Sequence, residues 1–116
     1  MMRRGEIRFA DLAPVRGAEA DKRRPTVIVS NDGANRTAEH VGRGVVTIVP
    51  LTSNTLHVYP FQVFLHTAET GLAETSKAQA EQVRSLSVAR LGPAVGKLTH
   101  ASMGALDDAL RLHLAL

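Results

Sequence analysis

Five side chains have types and spacing that could do chemistry together: Arg24, Thr52, Ser53, Gln82 and Arg84. The set is arginine plus hydroxyl plus amide, and it is poor for most acid–base work. It suits one reaction, because RNA brings its own nucleophile. A 2′-OH held in line can attack the neighbouring phosphorus, so the protein needs mainly to hold the strand distorted and to stabilise charge on the equatorial oxygens. The planar fork of arginine serves the second task, and a threonine hydroxyl can donate one more hydrogen bond. No metal is required by that route.

Other chemistries fit less well. The five histidines (His40, His57, His66, His100, His113) include no i,i+4 pair and no adjacent carboxylate motif, so no metal site is expected. Gly42-Arg43-Gly44 lacks the remaining glycine and the Lys-Ser/Thr of a phosphate loop. There is no Gly-x-Ser-x-Gly elbow of the serine hydrolases.

The elements around these residues must hold them still. In Lys22-Arg23-Arg24-Pro25 the proline fixes its own φ and pushes Arg24 toward an extended conformation. Residues 26–29 are short and rich in β-branched side chains, which predicts a buried strand with the Arg24 guanidinium at its mouth. Lys22 and Arg23 read as loop charges that draw RNA in. Residues 45–49 are the clearest strand. Pro50 cannot donate to a ladder, so pairing is expected to weaken there and leave Thr52 and Ser53 facing solvent or a ligand.

The rest of the chain reads as follows. Residues 5–12 alternate imperfectly and predict a first strand; a loop of roughly a dozen residues follows, long enough to suggest function. Asn31-Asp32-Gly33 signals a turn, with Asp32 able to cap a short helix over 34–40. Residues 59–65 predict another strand. Residues 75–91 are ambiguous: Ala, Gln and Glu favour helix, whereas alternation puts Ala78, Ala80, Gln82 and Arg84 on one strand face. Residues 92–98 suggest an irregular strand. Thr99 can cap a final helix that carries Met103, Leu106, Leu110 and Leu114 on one stripe, with Asp107 and Arg111 as an i,i+4 pair outside. Four or five strands before one helix predict an α+β domain or a small barrel, with residues 1–116 forming a single domain.

Composition bounds the function. The 116 residues are 44% hydrophobic and 22% charged, ordinary for a soluble globular domain. Cysteine is absent, no apolar run could span a bilayer, and Met1-Met2-Arg3-Arg4 has no apolar stretch of a secretory signal behind it. A cytoplasmic protein without a membrane segment is expected. Net charge is +3 and the isoelectric point about 10.0. The excess is N-terminal: Arg3, Arg4, Arg8, Arg16, Lys22, Arg23 and Arg24 face only Glu6, Asp11, Glu19 and Asp21. Gathered on one face, that excess attracts phosphates. With only Phe9, Tyr59, Phe61 and Phe64, a broad base-stacking platform is not available, though one or two stacking contacts are.

Four blocks of sequence carry a resemblance: Arg4-Gly5-Glu6-Ile7 with Asp11-Leu12; Arg16-Gly17-Ala18-Glu19 leading to Arg24-Pro25; Val29-Ser30-Asn31-Asp32; and Val49-Pro50-Leu51-Thr52-Ser53. Tyr59-Pro60-Phe61-Gln62-Val63 and Glu81-Gln82-Val83-Arg84-Ser85 follow in order. Together they make the chain resemble the MazF/PemK family of toxin endoribonucleases over nearly its full length. The resemblance implies an α+β fold: a small SH3-like β-barrel, shared with the CcdB toxins, with a C-terminal α-helix. It implies that residues 76–83 form a strand, against their helical propensity. It also implies a homodimer, single-stranded RNA as substrate, cleavage leaving a 2′,3′-cyclic phosphate and a 5′-OH, and neutralisation by a cognate antitoxin. The family's catalytic arginine and threonine match Arg24 and Thr52, its loop glutamate matches Glu19, and its RNA-contacting glutamine matches Gln82. Arg84 falls where a basic residue is frequent, and Lys22, Arg23 and Ser53 complete the expected RNA-binding set. Ala18 replaces a frequent serine, and Arg8 stands where an aromatic is common. The expectation is a sequence-selective, metal-independent endoribonuclease without cofactor, the toxin of a toxin–antitoxin pair. Two alternatives stand beside it: a non-enzymatic toxin of the same fold that poisons DNA gyrase, and a passive RNA-binding module.

Overall fold

Seven strands and three helices build the chain, in a computed structural model that describes residues 1–12 and 23–116. Glu19, Lys22 and most of the expected loop lie outside the described residues. The strands are β1 (Glu6–Asp11), β2 (Arg23–Ile28), β3 (Val45–Thr52), β4 (Gln62–Leu65), β5 (Ser76–Gln79), β6 (Arg84–Ser87) and β7 (Leu91–Lys97). The helices are α1 (Asp32–Val41), the single turn α2 (Thr67–Thr70) and α3 (His100–Leu114). The order across the sheet is β4-β5-β3-β2-β1-β7, all antiparallel, with β6 also paired to β3.

The strands are apolar on both faces because the sheet has a core on each side. Ile7, Val27, Val49, Leu51 and Leu65 pack with Leu106 and Ala109 of α3. Their strand neighbours Ala10, Ile28, Ile48, Val46 and Leu86 pack on the opposite face with Ala38 of α1. Strict alternation thus sends adjacent residues such as Val27 and Ile28 into different cores, which is what a continuous apolar run buried on both sides requires.

Several expectations are corrected. There are seven strands rather than four or five, because residues 75–91 form β5 and β6 separated by a 3-10 turn at Ala80–Gln82. Neither a helix nor the continuous strand implied for 76–83 forms. Pairing does not fail at Pro50: it stands opposite Thr26, and β3 runs on to Thr52. The missing donor is accommodated because β3 changes partner there, pairing with β6 through Ile48 and with β5 from Leu51. The expected strand over 59–65 begins only at Gln62, after a turn closed by the Gln62 N–H on the Tyr59 carbonyl at 2.8 Å.

Asn31, not Asp32, caps α1, its Oδ1 accepting from the Ala34 N–H at 2.8 Å. Asp32 instead accepts from the Arg4 N–H at 2.7 Å. That bond is the main reason its carboxyl is held below the ordinary value of 3.8. Arg4 ties three elements together, since its Nε donates to the Val29 carbonyl at 2.9 Å and its guanidinium pairs with Asp107 on α3. Arg111 therefore pairs with Asp108 rather than Asp107. Thr99 caps α3 as expected, accepting from the Ser102 N–H at 3.1 Å.

The path from β4 to β7 does not close into a continuous ladder. A backbone seam bridges it instead, with α2 lying directly on β7. A methyl group on Gly71 would sit 2.2 Å from the Val95 carbonyl oxygen, and one on Gly96 would sit 2.1 Å from that of Thr70. Glycine on both sides lets the two backbones touch. Glu69 of α2 then reaches the start of α3, accepting from the Thr99 N–H at 3.0 Å and the Ser102 hydroxyl at 3.0 Å.

Candidate active site

β2 and β3 carry the two residues singled out for chemistry, and their pairing sets them side by side. Thr26 stands opposite Pro50 and Val27 opposite Val49. The ladder ends at the Thr26–Pro50 pair, and two residues beyond it on each strand Arg24 and Thr52 both line one cleft. The cleft, of about 380 Å³, is lined by Phe9, Arg23, Arg24, Pro25, Leu51, Thr52, Ser53, Leu72, Ala73, Glu74 and Ser76.

The cationic side is built on strands. Arg23 is the first residue of β2, not a free loop charge, and its guanidinium lies over the Phe9 ring at 5.4 Å from the centroid. Arg24 is extended and half-buried as the neighbour of Pro25, but it lies within β2 opposite Ala10, because the strand begins at Arg23 rather than at residue 26. The Thr52 hydroxyl oxygen accepts from the Asn54 N–H at 3.3 Å, which leaves its own proton available to the cleft. Ser53 is exposed at the rim.

The opposite wall comes from the segment after α2. Leu72, Ala73, Glu74 and Ser76 follow α2 and its seam with β7 and line the same cleft. Their sequence did not mark these four for chemistry, and Phe9 was marked only as one of four aromatics. Alternation in β1 places Phe9 on one face with Asp11, the partner of Arg23. Glu74 carried no local signal; only the fold brings it into the cleft that Arg24 also lines.

Gln82 and Arg84 are not among the cleft residues. Both are exposed, on the 3-10 turn and β6, where Arg84 stands opposite Ile48, four residues before Thr52 on β3. Arg8 is held by Glu6 at 2.9 Å and by the Gly92 carbonyl at 3.0 Å, so it acts within the sheet edge. Among the described residues, no three His, Asp or Glu side chains gather as a metal ion would require. Among the same residues, no helix is long and apolar enough to cross a membrane.

Known proteins resemble the chain in sequence and in fold. Over its full length it is 56% identical to the endoribonuclease MazF9 of Mycobacterium tuberculosis, covering 98% of that protein. An endoribonuclease solved in complex with its cognate antitoxin, from a mycobacterial species, superposes with a TM-score of 0.79 at 28% identity, over 100% of this chain and 97% of that one. The MazF structure from Deinococcus radiodurans shares the fold, with a TM-score of 0.78 at 24% identity over 99% of this chain and 97% of the other. Residues 3–114, which include both cleft walls, match the family described as PemK-like, MazF-like toxin of type II toxin-antitoxin system, and the chain belongs to that family.

Proposed function

We propose that the protein is the endoribonuclease toxin of a toxin–antitoxin pair and that the Arg24–Thr52 cleft is where it cuts single-stranded RNA. The observation that carries the reading is the cleft at the end of the β2–β3 ladder, which a cation, Arg24, and a hydroxyl donor, Thr52, both line. The relatives named as endoribonucleases favour the nuclease over the gyrase poison and over a passive RNA binder.

In this mechanism the scissile phosphate enters between the two walls. The Arg24 guanidinium stabilises the charge that builds on the equatorial oxygens. Thr52 donates to one of those oxygens. The 2′-oxygen attacks phosphorus as the P–O5′ bond breaks, and the departing 5′-oxygen takes a proton from solvent water, giving a 2′,3′-cyclic phosphate and a 5′-OH. Glu74 is the carboxylate placed in the cleft to take the 2′-OH proton. Arg23, stacked on Phe9, holds a neighbouring phosphate, and Ser53 contacts the strand at the rim. Lys22 and Glu19, in the sequence between β1 and β2, contact the RNA as well. Gln82 and Arg84 extend the RNA path beyond the cleft along β6.

The partners follow from the same reading. A cognate antitoxin neutralises the protein by covering this surface. Two copies pair, for which Leu114 and Leu116, beside the half-buried Leu110, offer apolar surface. The setting is the cytoplasm. Incubating the protein with a long single-stranded RNA in EDTA, then mapping the 5′ ends, tests the proposal. Discrete cuts with 5′-OH ends are expected; intact RNA, with DNA breaks that depend on gyrase, would replace the nuclease with the poison.

A further inference from the structure

The loop between β3 and β4 holds an exposed aromatic side chain with unusual rigidity. Tyr59 is 51% exposed, yet it stacks on Phe61 with centroids 5.5 Å apart and ring planes 3° apart. Two buried polar side chains fix its backbone surroundings. Gln62, 8% exposed, accepts from the Tyr59 N–H at 3.2 Å and donates to Glu81 at 2.7 Å. Lys77, 7% exposed, donates from Nζ to the His57 carbonyl at 2.6 Å and sits 5.7 Å from the centre of the Tyr59 ring. A lysine is rarely buried without a partner that rewards it, and here the partner is a loop carbonyl.

The same lysine fixes where the loop lies. Lys77 is the β5 partner of Thr52, so the two side chains leave one face of the sheet about 5 Å apart. Lys77 thus links the two: it is the strand partner of Thr52, and its Nζ lies 5.7 Å from the centre of the Tyr59 ring. Neither Lys77 nor the Tyr59–Phe61 pair is needed for the chemistry proposed above.

We infer that the exposed half of Tyr59, backed by Phe61, is a stacking subsite for one base of single-stranded RNA flanking the cut, and that Lys77 and Gln62 are positioning residues that hold it beside Thr52. The inference rests on the endoribonuclease reading. An RNA base is the occupant because Lys77 ties the Tyr59 ring to the strand position beside Thr52 of the cleft, and because an aromatic face beside a cation suits a stacked base on a phosphate backbone. With one ring to offer, the subsite takes any base by stacking.

The protein supplies its own probe: Tyr59 is the sole tyrosine and there is no tryptophan. A short 2′-O-methyl RNA spanning a mapped cleavage site, end-labelled for anisotropy, is titrated into the full chain. Tyr59 emission should fall in step with the rise in anisotropy. On the cleavable RNA, Tyr59→Leu should raise KM roughly 5- to 100-fold while leaving kcat at saturation within about threefold. Lys77→Met should raise KM similarly, Lys77→Arg should restore it, and Lys77→Met with Tyr59→Leu should be no worse than Tyr59→Leu alone. Should Lys77→Met not fold, the emission titration and Tyr59→Leu decide the matter. Anisotropy that rises without any change in Tyr59 emission overturns the subsite and leaves the cleavage reading standing. Emission that changes on simple dilution of the protein assigns Tyr59 to an interface between copies and also overturns it. A wild-type protein that neither binds nor cuts RNA overturns the cleavage reading, and the subsite with it.

Discussion

Replacing Gly96 with alanine should damage both stability and catalysis, although residue 96 lies outside the cleft. The new methyl would stand 2.1 Å from the Thr70 carbonyl oxygen, whereas ordinary contact begins at 3.4 Å. Two stretches of backbone must therefore part by about 1.3 Å, and overpacking of that kind costs ~1–3 kcal/mol. Parting them also pulls Glu69 from Thr99 and Ser102 at the start of α3, worth about 1 kcal/mol as a cap. The sum, roughly 2–4 kcal/mol, corresponds at this chain length to a Tm lowered by roughly 8–16 °C. Leu72 to Glu74 follow α2 immediately and form one cleft wall, so kcat/KM on RNA should fall even where the variant is fully folded. A displacement of about 1 Å at a reacting centre can cost on the order of 100-fold. Gly104→Ala is the control. Gly104 lies inside α3 with nothing near its would-be methyl, so alanine there should stabilise by ~0.5–1 kcal/mol and leave cleavage unchanged. Calorimetry and initial rates at 25 °C read both effects. A Gly96→Ala protein with wild-type Tm and rate would refute the seam as the support of the cleft wall.

Other outcomes follow from single contacts. Asp32 has a folded-state pKa below its ordinary 3.8, so its stabilising contribution is present above that value and is lost as pH falls through the lower one. Asp32→Asn should therefore lower Tm at neutral pH and flatten its fall with acidification below about pH 4. Asn31→Ala removes the cap of α1 and should cost about 1 kcal/mol in urea unfolding, with the m-value unchanged. Glu74→Gln should lower kcat by 10²-fold or more with little change in KM, as loss of a general base does; an unchanged kcat would remove it from the mechanism.

The parts of the fold legible in the sequence are those fixed by local physics. The β3 run, the Thr99 cap and the extended entry into Pro25 each need only neighbouring residues to be understood. Residues 76–87 were not legible locally, because helical propensity worth a few tenths of a kcal/mol per residue yields to pairing with β3 and β4. The partners of Arg4 and Asp107 lie 103 residues apart, so Asp107 read from its own helix pointed to Arg111. The site divides the same way. Arg24 and Thr52 could be named from their local settings and the family resemblance, whereas Glu74 and Lys77 acquire their places only when β5 and the α2 seam bring them beside Thr52. Lys77 is the plainest case, since a lysine in an alternating segment reads as solvent-facing and here is buried.

The most direct test of the account is single-turnover cleavage of one RNA by the wild-type protein, Arg24→Ala, Thr52→Ala and the double variant, each shown to be folded. In the proposed mechanism Arg24 and Thr52 stabilise the same developing charge, so each single change should slow the chemical step by roughly 10²–10³. The double variant should be slower by much less than the product of the two. Cleavage at the wild-type rate by either single variant would contradict the assignment of this cleft as the place where RNA is cut.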